Sequence, residues 1–245
     1  MASEPIRLCV WSGPRNISTA LMYSFAQRAD TTVYDEPLYA HYLVNSTARK
    51  YHPGADEIIA TMENDGEKVV AETILGPQPT RIAFFKQMTH HLVELDQAFM
   101  EQTVNVMLTR HPRDMLPSYA TQVSRPTLRD VGYKMHLDLV EFLRTLGQEP
   151  PVLDSEATLR NPRGVLRELC DRIDIPFDEA MLSWPAGARP EDGIWAEHWY
   201  ARVHQSTGFQ PYEPKAEPFP EHLKALFDEC MPYYAALANE AIAAN

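Results

Sequence analysis

Residues 7–29 read RLCVWSGPRNISTALMYSFAQRA. Leu8–Trp11 is a short apolar run, Ser12, Gly13 and Pro14 interrupt it, and Ser18–Ala29 has helix-forming composition with Leu21, Met22 and Phe25 on one face. The stretch predicts a strand, a tight turn and a helix. A helix that opens directly after such a turn presents unpaired backbone N–H groups and the positive end of its dipole. Such a turn is a cradle for an anion. Gly13 and Pro14 shape it, Arg15 adds a fixed cation, Asn16 an amide, and Ser18 and Thr19 two hydroxyls, all suited to phosphate oxygens. The same residues also fit an ordinary strand-to-helix connection capped by Ser12 or Asn16. The pattern G-x-x-x-x-G-K-[ST] is absent, and no Ser or Thr directly follows Arg15 to hold magnesium, which disfavours a nucleotide kinase or ATPase.

Outward from this unit the pattern repeats. Thr31–Tyr34 reads as a second strand ending in Asp35, Glu36 and Pro37. Carboxylates there either lie on the rim where α/β proteins bind ligands or cap the helix that Pro37 starts near Leu38. Arg81–Lys86 is a further strand with Lys86 at its tip. A helix from Thr89, with Thr89 as its cap, would point His90 and His91 in different directions, so one at most faces a site and either can be a solvated surface residue. Val104–Thr109 runs into Arg110-His111-Pro112-Arg113-Asp114 and a helix over Met115–Gln122. That places Arg110 at a strand tip and Ser118 two turns along the helix, while Arg113 and Asp114 also fit a surface ion pair of little worth. Lys68–Ala71 is compatible with another strand, Val131–Leu146 with a structural amphipathic helix, and Pro151–Leu153 with a short strand before Asp154. Asn161-Pro162 then introduces a helix over Arg163–Ile173.

Strands alternating with helices imply an α/β fold of three layers, α/β/α, around a central parallel sheet. A single domain spans 1–245. Its C-terminal region, 184–245, is an irregular segment followed by a helix, Pro220–Ala243, that covers the sheet through Leu223, Leu226, Phe227 and Cys230. Tyr39, His41, Tyr42, Trp195 and Trp199 fit either a pocket wall or ordinary packing.

The 245 residues, 44% hydrophobic and 23% charged, are ordinary for one soluble globular domain. A formal net charge of −12 argues against nucleic acid and against anionic membranes, so an anionic ligand has to be captured by local positive groups. Cys9, Cys170 and Cys230 show no disulfide or metal spacing and read as reduced thiols, Cys9 in the core. With no signal-peptide stretch and no run of eighteen apolar residues, the expectation is a soluble, cytoplasmic protein. Nothing in the sequence speaks to its oligomeric state.

With both turns located, the chain resembles the sulfotransferases that use 3′-phosphoadenosine 5′-phosphosulfate (PAPS). WSGPRNISTAL looks like their 5′-phosphosulfate loop, and LTRHPRDMLPSY like their 3′-phosphate motif, in which an arginine at a strand end and a serine eight residues later hold the phosphate; Arg110 and Ser118 have that spacing. VLDSEATLRNPRGVLRELCDRIDIPFDEAML resembles a later family segment, and the S-G-P-R-N loop is similar to that of bacterial members. The chain departs from the family in carrying Arg15 where many members have lysine, in having Lys86-Gln87-Met88-Thr89-His90-His91 in place of the lysine-threonine-histidine signature, and in lacking the glycine-lysine-rich C-terminal loop, for which Ser206-Thr207-Gly208 is the substitute.

The resemblance implies a P-loop NTPase-like sulfotransferase fold, PAPS as sulfate donor without a metal, and transfer to a hydroxyl or amine of a small-molecule acceptor. It implies donor contacts from Gly13, Pro14, Arg15, Asn16, Ser18, Thr19, Arg110, Ser118, Ser206 and Thr207, with Lys86 assisting at the bridging oxygen. The general base is Glu36, after the second strand, or else His90. Two other readings stand beside this one: a magnesium-dependent small-molecule kinase or phosphate-ester enzyme, with Asp154 as its metal ligand, and a non-catalytic protein that binds the nucleotide.

Overall fold

The computed structural model describes residues 4–244. Five strands, β1 (Ile6–Ser12), β2 (Thr31–Asp35), β3 (Ile82–Met88), β4 (Val104–Thr109) and β5 (Val152–Asp154), form one sheet in the order β2-β3-β1-β4-β5. Every neighbouring pair is parallel, and the register brings the tips together: Ser12 lies beside Met88 and Leu108, Asp35 beside Lys86, and Thr109 beside Asp154. β1 is central. From it the chain crosses to the edge strand β2 and returns to β3 on one side, then builds outward through β4 and β5 on the other. Such a reversal opens a crevice above the carboxyl end of the central strand, where ligands bind in sheets of this kind.

The helices are α1 (Ser18–Phe25), α2 (Tyr39–Val44), α3 (Ala55–Thr61), α4 (Gly66–Val69), α5 (Pro112–Tyr119) and α6 (Leu128–Val131). They continue with α7 (Tyr133–Thr145), α8 (Ser155–Arg160), α9 (Pro162–Arg172), α10 (Ala196–Trp199), α11 (Ala201–His204) and α12 (Lys224–Ala238). Alternation along β1 splits the core in two. Leu8 and Val10 pack with Leu21, Met22 and Phe25 of α1 and Val165, Leu166 and Leu169 of α9. Cys9 and Trp11 point to the other face, among Leu139, Val140 and Leu143 of α7 and Val69, Val70 and Ile74. The expected three layers follow. α9 starts as its sequence dictates, with Pro162 in its first turn and the Asn161 side chain accepting from Gly164 N–H.

Several local expectations are corrected. Lys68–Ala71 is no strand: Gly66–Val69 is helical and Val70–Ile74 continues as a π-turn, because burial of Val69, Val70 and Ile74 against the sheet overrides their β-branched preference. Thr89 caps no α-helix; Thr89–His91 is a single 3₁₀ turn leaving β3, and it buries both histidines. α2 begins without a side-chain cap, so neither Asp35 nor Glu36 has that role. Asp114 is buried and accepts from the Tyr212 hydroxyl (3.1 Å) instead of pairing with Arg113. Leu223, Leu226, Phe227 and Cys230 pack against Met115, Leu116 and Tyr119 of α5, not on the sheet; Leu237, late in α12, reaches the core beneath it. Cys9, Cys170 and Cys230 are free and buried. Among the described residues no helix is long and apolar enough to cross a membrane.

Gly13 shows how tightly the first turn sits on the α6–α7 junction. A Cβ there would lie 2.7 Å from the Val131 carbonyl oxygen and 3.3 Å from the His136 ring. Backbone cannot yield as a flexible side chain does, so Gly13→Ala is expected to cost about 1–3 kcal/mol. A lowered urea midpoint with unchanged slope checks it.

Candidate active site

The turn after β1 and the turn after β4 interlock. Arg15, in the left-handed region at φ 55°, donates from Nε to Ser118 Oγ (3.0 Å) and from a terminal nitrogen to the Trp199 carbonyl (3.1 Å). Arg110 donates to the Arg15 carbonyl (2.7 Å), and Tyr133 donates to the Arg110 carbonyl (2.6 Å). The two turns recognised separately in the sequence are thus one structure. Asn16 serves it differently from expectation: its amide donates to the Leu108 carbonyl (3.2 Å) and its oxygen accepts from Ser155 (2.9 Å), which clamps the loop to β4 and α8. Ser18 opens α1, whose N-cap residue, Ile17, provides no side-chain bond, so the first-turn N–H groups of α1 carry no side-chain cap.

Above these turns lies a cavity of about 680 Å³. Pro14, Arg15, Asn16, Ser18, Thr19, Glu36, Lys86, His90, Arg110, Ser118 and Ser206 all line it, whereas Gly13 sits beneath the turn. The stretch expected to substitute for the C-terminal loop divides: Ser206 lines the cavity and Thr207 does not. Thr207 is exposed outside the cavity, and the Ser206 hydroxyl donates to the Val203 carbonyl (2.7 Å) and accepts from Trp184 (3.1 Å). The later chain also supplies Arg202 and Lys215, which line the cavity with Arg113. Tyr39, Trp195 and Trp199 form part of the wall, but His41 is bonded to Val93 and Gly66, and Tyr42 stands behind His91.

The cavity has two electrostatic halves. On one side, Arg15, Arg110, Arg113, Arg202 and Lys215 make no ion pair with any carboxylate among the described residues. Burial, then repulsion by Arg110 and Arg202, pulls the pKa of Arg15 downward; burial and Arg110 do the same at Lys215, where Asp114 and Glu217 offset part of it. With only Asp114 and Glu217 nearby and no ion pair formed among the described residues, cations so close together repel one another and favour an anion placed among them.

On the other side is a closed polar cluster. Lys86, 1% exposed, donates to Asp35 Oδ1 (2.8 Å), to Glu36 Oε1 and to the Tyr200 hydroxyl (2.6 Å). Tyr200 donates to Asp35, 2.7 Å from Oδ2, and accepts from Trp195 Nε1 (3.1 Å). Gly193 N–H completes Asp35 at 3.1 Å. Burial raises the Glu36 carboxyl to about 6; the positive charge of Lys86 opposes this, and the neighbouring Asp35 charge adds a smaller upward push. Burial works against the Lys86 charge, but Asp35 and Glu36 hold its pKa well above the ordinary value. His91 lies flat between Tyr39 and Tyr42, with ring centroids at 4.9 and 4.8 Å, and burial keeps it neutral. Burial and the neighbouring His52 and His136 push His90 down to about 3. Tyr200, Arg202 and Lys215 escaped the sequence reading. They lie in segments without regular periodicity, and the only signal was their position among aromatic residues and prolines.

A family model described as a sulfotransferase domain matches residues 6–241. Two Arabidopsis thaliana proteins, branched-chain-amino-acid aminotransferase-like proteins 2 and 1, are each 39% identical, over 228 and 238 residues. Those matches cover 93% and 97% of this chain but 40% and 42% of the relatives, so the chain spans about two-fifths of their length. A sulfotransferase from Alicyclobacillus acidocaldarius superposes with a TM-score of 0.55 at 14% identity, covering 98% of both chains. The sulfotransferase domain from the curacin biosynthetic pathway gives 0.50 at 15% identity over 94% of this chain and 99% of its own. These structures share the P-loop-like sulfotransferase fold. The chain belongs to the sulfotransferase-domain family.

Proposed function

We propose that this domain transfers a sulfuryl group from PAPS to a hydroxyl, or an amine, of a small-molecule acceptor. The observation that carries the reading is the gathering, around one cavity, of a buried carboxylate, Glu36, and five cations that form no ion pair among the described residues. A donor bearing a 5′-phosphosulfate and a 3′-phosphate supplies the anions the first half lacks. Arg15, Ser18, Thr19 and the start of α1 suit the 5′ end, where they would stabilise charge growing on the leaving phosphate. Arg110 and Ser118 suit the 3′-phosphate, and Arg113, Arg202 and Lys215 add to the same field. The cavity volume and the Tyr39, Trp195 and Trp199 walls suit a small, partly apolar acceptor.

In the reaction the acceptor oxygen or nitrogen attacks sulfur in line. The S–O bond to the 5′-phosphate breaks, 3′,5′-bisphosphorylated adenosine leaves with the electron pair, and the acceptor proton passes to the enzyme. Positioning and charge neutralisation supply most of the rate, as in phosphoryl transfer. Glu36 is the better base: its carboxylate takes up a proton near pH 6, whereas His90 releases its own near 3 and is too weakly basic at neutral pH. Lys86 commits its three protons to Asp35, Glu36 and Tyr200, so it holds the base and does not reach the bridging oxygen. The kinase reading is weaker, because Asp154 caps α8 by accepting from Ala157 N–H (3.0 Å) and also accepts from Tyr234 (3.1 Å).

Calorimetric titration with 3′,5′-bisphosphorylated adenosine in the presence of a chelator tests the donor site. Binding near micromolar is expected, weakened about 10- to 150-fold by Arg110→Ala, the effect of losing a charged hydrogen-bond donor. Absence of binding by the unaltered protein rejects the reading, and binding without transfer to any hydroxyl or amine would leave a nucleotide-binding protein.

Glu36→Gln should lower turnover by about 10²- to 10⁴-fold while sparing that binding. Because the ionised carboxylate is the competent form, kcat/KM of the unaltered protein should rise with pH and level off above about 6. Full activity of Glu36→Gln, or a rate independent of pH between 5 and 7, assigns the base elsewhere.

A further inference from the structure

Two carboxylates lie side by side at the tip of β2, yet they are used unequally. Asp35 is saturated: Oδ1 accepts from Lys86 and Oδ2 from Gly193, and the Tyr200 hydroxyl lies against both oxygens. It does not line the cavity. Glu36 does, and only its Oε1 is bonded, to Lys86; Oε2 has His91 Nε2 as its neighbour at 3.9 Å, beyond hydrogen-bond reach. The other titratable groups around Glu36 are Tyr39 from α2, His91 from the turn after β3, and Tyr200 from the junction of α10 and α11, all uncharged. The local charge is therefore set by three groups: Asp35, Glu36 and Lys86.

From this charge balance we infer that Asp35 is the permanent counter-ion of Lys86, and that by neutralising the buried ammonium it keeps Glu36 able to accept the acceptor's proton. The inference rests on Glu36 being the base. Asp35 is a positioning residue, since it touches no reacting atom. A lone Lys86–Glu36 pair in so dry a place would be a tight ion pair, with the carboxylate stabilised by a full positive charge a hydrogen bond away. Protonating it would then leave a naked buried cation, which is costly. With Asp35 present, the ammonium already has its partner, and a proton on Glu36 leaves a neutral Asp35–Lys86 pair behind. Tyr200 and Gly193 fix Asp35 in that role by filling its remaining lone pairs.

The test is the acidic limb of the kcat/KM profile in two variants of opposite charge effect, each checked for folding by thermal melting and by binding of 3′,5′-bisphosphorylated adenosine. Asp35→Asn removes the counter-ion, so the limb should move to lower pH by about one unit or more, with a reduced plateau from the weaker base. Lys86→Gln leaves two carboxylates without a cation, so the limb should move to higher pH by a similar amount. A purely structural role for the cluster would lower activity in both without moving either limb, and that result overturns the proposal. Should Asp35→Asn fail to fold, Lys86→Gln decides alone, and a limb unmoved or displaced downward rejects it. Glu36→Gln run in parallel separates the two levels: if it keeps its turnover the assignment of the base has failed, and if it is inactive while the limbs stay fixed only the counter-ion proposal has.

Discussion

Parallel pairing brings the carboxyl ends of all five strands to one edge, and the placing of β1 between β3 and β4 makes that edge a crevice. Much of what the site needs follows from which residues lie near or just beyond the carboxyl end of each strand; β3 runs two residues past Lys86, to Met88. β1 delivers the Gly13–Arg15 turn, β2 delivers Asp35 and Glu36, β3 delivers Lys86, and β4 delivers Arg110. The in-register pairing of Asp35 with Lys86 then forces a cation against two carboxylates. A shift by one residue would turn Lys86 onto the opposite face of the sheet and leave both carboxylates unpaired.

That edge was largely readable in the sequence because its signals are local. An apolar run, a glycine turn and a helix start are contiguous, and so are Val104–Thr109, Arg110 and Ser118; their chemistry needs no knowledge of distant chain. What failed to read depends on distance. Val69 and Val70 have strand-forming side chains, and only their burial against the sheet from a helix shows otherwise. His90 and His91 look like surface residues until aromatic rings from α2 close over them. Tyr200, Arg202 and Lys215 arrive from over a hundred residues after β3 or β2, in a segment without periodicity, and no short-range rule places them beside Glu36 or Arg110.

The division of charge in the cavity explains how an acidic chain holds a cation-rich site. Carboxylates outnumber cations overall, 34 to 22, yet the pairs they form lie mostly at the surface, as Lys134–Asp138 and Arg172–Glu168 do. Within the cavity the one fully compensated cation is Lys86, and the guanidinium groups at the other end bond to Ser118 and to the Trp199 and Arg15 carbonyls, neutral acceptors that orient them without cancelling their charge. A buried ion cluster of this kind adds little stability for the desolvation it requires. Its arrangement is better accounted for by keeping Glu36 and Arg15 apart, each answered by something other than the other.

Backbone conformation bears on the same two residues, which are among the four non-glycine residues with positive φ in the described chain; Glu94 and Asp174 are the others. Arg15 and Glu36 have positive φ, 55° and 45°, a region that side chains with a Cβ enter at a cost of roughly 1–3 kcal/mol. Each stands just beyond a strand tip, where the chain turns sharply and the side chain is thrown toward the crevice. Each is also held there by several bonds: Arg15 by Ser118, Trp199 and Arg110, Glu36 by Lys86 through both its side chain and its N–H, which donates to the Lys86 carbonyl at 2.9 Å. Strain of this kind persists only where surrounding contacts over-determine it, and it marks the residues whose direction matters. Of the four such residues, the cation of the first turn and the half-free carboxylate of the second are the two that line the cavity, so there the strain aims a side chain into the site.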